Sequence, residues 1–184
     1  PHWDGNEVWL LTAGGATFAA FPEWYGTLFS GAYLVLLLIL LCLIVRICAI
    51  EWREKINDQA WSDRWDWAHT VSAWIPSILW GAAFANLVQG MRIEVIDTAS
   101  GAPVPAGQVS PDALVHGASH QITGGFLSLL TPFTLLGGAV TCLLFLTHGA
   151  LFTALKTRGA LSERSDALAR TCGAASTAVT AAWA

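Results

Sequence analysis

Charge is what this chain is shortest of. Lys, Arg, Asp and Glu make up 12% of its 184 residues, about half the share of a soluble domain. The nine basic and 13 acidic residues leave a net charge of −4 with no basic patch, which excludes nucleic acid as a partner. No CxxC pair is present, and Cys42, Cys48 and Cys142 lie in apolar runs while Cys172 opens another. They read as small buried hydrophobes rather than disulfide partners or metal ligands. Met91 is the single methionine, so a His/Met haem axial pair has little to draw on. There is no initiator Met, no charged leader and no signal peptide, and the chain stops inside an apolar run. The expectation is a piece of a longer protein.

What is abundant is hydrocarbon. The chain is 54% hydrophobic with ten Trp and a mean hydropathy of +0.54. This composition predicts an all-α fold, a polytopic transmembrane helix bundle of about five helices in a single membrane domain over residues 1–184. The helices are expected at about 4–24, 26–50, 68–88, 122–155 and, incomplete, 171–184. Pro76 predicts a kink in the third. Thr131-Pro132 and Gly137-Gly138 predict a bend and a close helix contact in the fourth. Loops are expected at 51–67, 89–121 and 156–170, with a short turn at Pro22–Tyr25.

Loop charge gives these helices a direction. The 51–67 loop holds Arg53, Lys55 and Arg64, and the 156–170 loop holds Lys156, Arg158, Arg164 and Arg170, whereas the 89–121 loop holds only Arg92. Seven basic residues against one, in alternating loops, predict that 51–67 and 156–170 are cytoplasmic and 89–121 is the outer loop. The Pro22–Tyr25 turn is then outside, and the start of the first helix opens to the cytoplasm. Trp52, Trp61, Trp65 and Trp67 crowd the first cytoplasmic loop and read as an interfacial belt.

At that opening stand Trp3-Asp4-Gly5-Asn6-Glu7-Val8-Trp9-Leu10. The uncharged core after them, Val8 to Pro22, covers about 22 Å of a hydrocarbon layer about 30 Å thick. To span, the helix must recruit residues before Val8, which draws Glu7 and Asp4 to the membrane boundary. Their three-residue step puts both carboxylates on one helix face. Capping of the helix N-terminus is one reading. Proton handling is the other, because a carboxylate at a low-dielectric boundary keeps its proton to higher pH. Both stay open on the residues alone.

The remaining polar groups have plainer readings. Arg46 either snorkels to the head groups or pairs with a carboxylate such as Glu7. Asn86 and Gln89 read as interhelical hydrogen bonders. His2 and His69 fall at the cytoplasmic edge, His116 and His120 in the outer loop, and His148 inside the fourth helix. No two share i,i+4 spacing within one helix, so the expectation is no haem or metal bound by this piece.

Taken in order, Pro1 to Leu10, Thr12-Ala13-Gly14-Gly15, Phe18 to Pro22, Phe29-Ser30-Gly31, Glu51 to Lys55, Trp61, Arg64 to Trp67, Asn86 to Gly90 and Thr131-Pro132-Phe133 resemble subunit II of the cytochrome bd quinol oxidases. The resemblance is weakest from Arg92 to Ser119. It implies a prokaryotic plasma-membrane subunit of an oxidoreductase that oxidises quinol and reduces oxygen to water. It also implies that haem b and haem d sit in the partner, subunit I, and that this chain forms a heterodimer with it and stabilises it. Small accessory subunits, membrane lipid and quinone are further expected partners. The residue matching Asp4 is implied in a cytoplasmic proton-uptake path, and Glu7, Gln in some members, is implied as a helper. No catalytic residue is expected in this chain. The alternative is a helical membrane transporter using Asp4 and Glu7 as coupling carboxylates, and a further one is a purely structural membrane subunit.

Overall fold

A computed structural model describes residues 2–98, 100–105 and 118–184, with the side chains of residues 2–4, 7 and 118 outside that description. The elements run α1 (His2–Ala20), α2 (Pro22–Gly31), α3 (Tyr33–Trp52), α4 (Gln59–Gln89), β1 (Ile93–Asp97), β2 (Ala118–Ile122), α5 (Gly125–Ser128), α6 (Pro132–Lys156) and α7 (Ala160–Trp183). Three of these helices, α3, α4 and α6, are long and apolar enough to cross a membrane. Helix α1 adds a shorter apolar stretch, Val8–Ala20. The chain divides into two compact units, 1–36 with 92–126, and 37–91 with 127–184.

In the first unit α1 stops because Pro22 has no N–H to donate and forces Phe21 out of the helical region; Phe21 sits at φ −138°, ψ 66°. Pro22 then opens α2 rather than a turn, which corrects the Pro22–Tyr25 expectation. An aromatic contact ties α2 to α1, Phe18 meeting Tyr25 edge-on at 5.3 Å, and within α2 Tyr25 stacks on Phe29 at 3.9 Å. The second predicted helix, 26–50, is α3, shifted to Tyr33–Trp52 because α2 uses its first residues.

The 89–121 loop is not all irregular. Gly90, at φ 84°, takes the chain out of α4, and β1 then pairs antiparallel with β2, Ile93 opposite Ile122 and Asp97 opposite Ala118. Asp97 ends the strand in a side-chain turn, its Oδ2 accepting from the Ser100 hydroxyl at 2.7 Å. The returning segment adds to the other edge of β1 as Val104 N–H donates to Val95 O at 2.9 Å. Gly31 lies so close to Ile122 that no Cβ fits there, which brings α2 onto the ribbon.

The second unit is built on α4 against α6. A Cβ on Gly138 would lie 2.7 Å from the Ile78 carbonyl oxygen, and one on Gly137 would lie 2.7 Å from the Ala85 Cβ. Gly81 faces the same pair and Thr141. Such close backbone approach is how helices associate where lipid removes the hydrophobic drive. At one end of this contact Asn86 Nδ2 donates to both Ala82 O and Leu129 O at 2.8 Å. Thr131 caps α6 with Thr134 in a reciprocal box ahead of Pro132, and the Thr131 hydroxyl reaches Gln89 Oε1 at 3.1 Å.

The long helices overrun the predicted loops. Asp58 caps α4 by accepting from Ala60 N–H, so α4 starts at Gln59 rather than near Ala68 and continues through the buried Pro76. The 51–67 loop is reduced to a turn at 53–58, and the 156–170 loop to 157–159, where Gly159 at φ 71° admits α7 directly. Helix α7 therefore begins at Ala160, not near 171, and the fourth predicted helix is α6 from Pro132, with residue 122 left in β2. Helix α7 lies along α6: Ser162 donates to Ala154 O at 2.9 Å, and Trp183 donates to Phe133 O at 3.1 Å while stacking on its ring.

The 53–58 turn is closed by Arg53, whose guanidinium grips Asp66 through Nε–Oδ1 and Nη2–Oδ2. Trp61 donates to Trp52 O at 2.8 Å, and Trp65 packs edge-on against both indoles.

Two outcomes follow for the purified protein. Gly138→Val should cost about 1–3 kcal/mol by overpacking and lower the thermal midpoint, whereas Gly149→Ala, with open space around it, should not; equal midpoints would refute the close contact. Arg53→Gln should speed tryptic cleavage after the exposed Lys55 severalfold, and an unchanged rate would mean the ion pair does not hold the turn.

Candidate functional site

The residues around the start of α1 are positioned by a regular helix. Asp4 and Glu7 both fall within α1, three residues apart on its backbone, a spacing that places them on neighbouring turns of one face. Their side chains lie outside the described atoms, so the site's carboxylate geometry is that of the backbone alone. Next to them Gly5 and Asn6 are exposed, and Trp9 and Leu11 are each 75% exposed. Helix α1 buries none of its described residues. Thr12 and Thr17 turn their hydroxyls back to Val8 O and Ala13 O, each at 2.8 Å, which leaves the Val8–Ala20 stretch apolar.

In the second unit an ion pair closes the 53–58 turn. Hydrogen bonding to Asp66, reinforced by its negative charge, raises the Arg53 guanidinium above its already high usual range. This pair is half exposed. Arg46, two turns before Arg53 on α3, is partly buried, and its Nε finds no hydrogen-bond acceptor among the described residues. The His69 imidazole on α4 is close enough to Arg46 to interact with it electrostatically. A guanidinium with a dry, unpaired Nε is a demand for an acceptor. Sequence reasoning had named both Arg46 and His69 but had not brought them together, and had not paired Arg53 with Asp66. The missing signals were the early start of α4, which carries Asp66 onto the helix that already held His69, and the way that helix lies against α3.

The histidines are dispersed. His120 is in β2 opposite Val95, His69 is half-buried, and His148 is exposed on α6 rather than enclosed between helices. His116 and the side chain of His2 lie outside the described residues. Among the described residues no group of three or more His, Cys, Asp or Glu could hold a metal ion. Asn86 and Gln89, expected to bond between helices, bond instead from α4 to the segment leading into α6, Asn86 to Leu129 O and Gln89 to the capping Thr131 hydroxyl.

Known proteins give this geometry a family. A family model described as cytochrome bd terminal oxidase subunit II matches residues 1–184. The chain is 40% identical over 165 residues to a probable cytochrome oxidase subunit 2 of Haemophilus influenzae, covering 90% of this chain and 39% of that protein. It is 37% identical over 170 residues to the cytochrome bd-I ubiquinol oxidase subunit 2 of Escherichia coli K12, covering 92% and 40%. With the cytochrome bd ubiquinol oxidase subunit 2 of Bacillus subtilis it shares 35% identity over 170 residues, covering 92% and 44%. The chain thus spans about two fifths of the length of these relatives. Matched from end to end and built on membrane-length helices, it belongs to the cytochrome bd terminal oxidase subunit II family of multi-pass plasma-membrane proteins.

Proposed function

We propose that this chain works as subunit II of a quinol:oxygen oxidoreductase, stabilising a haem-bearing subunit I and supplying it with a cytoplasmic proton path that starts at Asp4. The observation that carries the reading is the family match over every residue, with Asp4 and Glu7 near the start of an apolar helix too short to cross hydrocarbon without them. The names of the relatives place their own chains in ubiquinol oxidases, and quinol is the substrate class proposed for the complex. Haem b and haem d are assigned to subunit I.

The chemistry asks two things of this subunit. Reducing oxygen to water consumes protons as well as electrons, so protons must reach a site inside the membrane. A carboxylate at the boundary accepts a proton from cytoplasmic water and releases it inward, because the low dielectric brings its two protonation states closer in free energy. Asp4 takes that role. Glu7, on the next turn, polarises the path and holds water in it. The basic residues of the 53–58 and 157–159 turns, with the first turns of α7, set the cytoplasmic side by the positive-inside rule. The β1–β2 ribbon then lies outside.

Three outcomes test the reading. Purified with its partners, the protein should show haem b and haem d absorbance and quinol-dependent oxygen uptake; a transporter using Asp4 and Glu7 as coupling carboxylates would show neither. In the full-length complex Asp4→Asn should keep assembly and haem spectra but slow turnover by about tenfold, equivalent to about 1.4 kcal/mol in the barrier, with Glu7→Gln losing less. Unchanged turnover would leave Asp4 as a helix cap. In labelling of intact cells with a membrane-impermeant maleimide, in a background without its native cysteines, Ser100→Cys should react and Lys55→Cys should not; the opposite pattern would invert the path.

A further inference from the structure

We draw no further inference here: the strongest candidate, the exposed face of α6 that sets His148 among Leu144, Phe145, Leu151 and Leu155, carries nothing because nothing in the structure shows what covers it.

Discussion

The backbone contact between α4 and α6 is the interaction on which the larger unit depends. Gly81, Gly137 and Gly138 let the backbones of the two helices approach closely, with room for no Cβ at any of the three. In lipid no water is released when apolar helices meet, so dispersion at short range and a few hydrogen bonds must hold them. Asn86 supplies those bonds by bridging its own helix to Leu129 O, just before the Thr131 cap. With α6 fixed in this way, α7 gains a surface to lie along, from the Ser162 contact at one end to the Trp183–Phe133 stack at the other. That contact offsets the polarity of α7, which is not among the helices apolar enough to cross a membrane by composition.

Charge is spent sparingly, and two of its placements matter most here. Near the 53–58 turn, Arg53 and Asp66 neutralise one another beside an indole cluster suited to the membrane interface. At the start of α1, two carboxylates share a helix whose described residues are all at least partly exposed. A helix that buries so little of itself is suited to presenting groups to something else. On the proposed function that something is the oxygen-reducing subunit, and the proton path runs where the two subunits cooperate.

Much of the bundle was legible in the sequence because hydrocarbon leaves the chain few choices. The apolar run of α3 before Arg46 marked a spanning helix, and Gly137-Gly138 marked the close contact of α6, whereas Thr131-Pro132, read as a bend within a helix from 122, caps a helix that starts there. The loops were legible only in part. Polar residues at 59–67 and 160–170 looked like loop, yet Asp58 and Gly159 start helices there, and solvent-facing helical turns carry polar residues as readily as loops do. The β1–β2 ribbon was missed because Ile93-Glu94-Val95-Ile96-Asp97 alternates imperfectly and its partner strand lies more than 20 residues on. For the site, the motif around Asp4 was specific enough to suggest a family, while the Arg53–Asp66 pair and the Arg46–His69 neighbourhood depend on how α3 and α4 lie together, which no local pattern encodes.

The central claim is that this subunit admits protons from the side that bears the basic turns. The direct measurement is proton uptake by the complex in sealed vesicles of known orientation, read with an impermeant pH dye confined to one face during quinol-driven turnover. The account predicts alkalinisation on the face of the 53–58 turn, slowed when Asp4 is replaced by Asn. Proton consumption from the face of the β1–β2 ribbon, or uptake indifferent to Asp4, would contradict it.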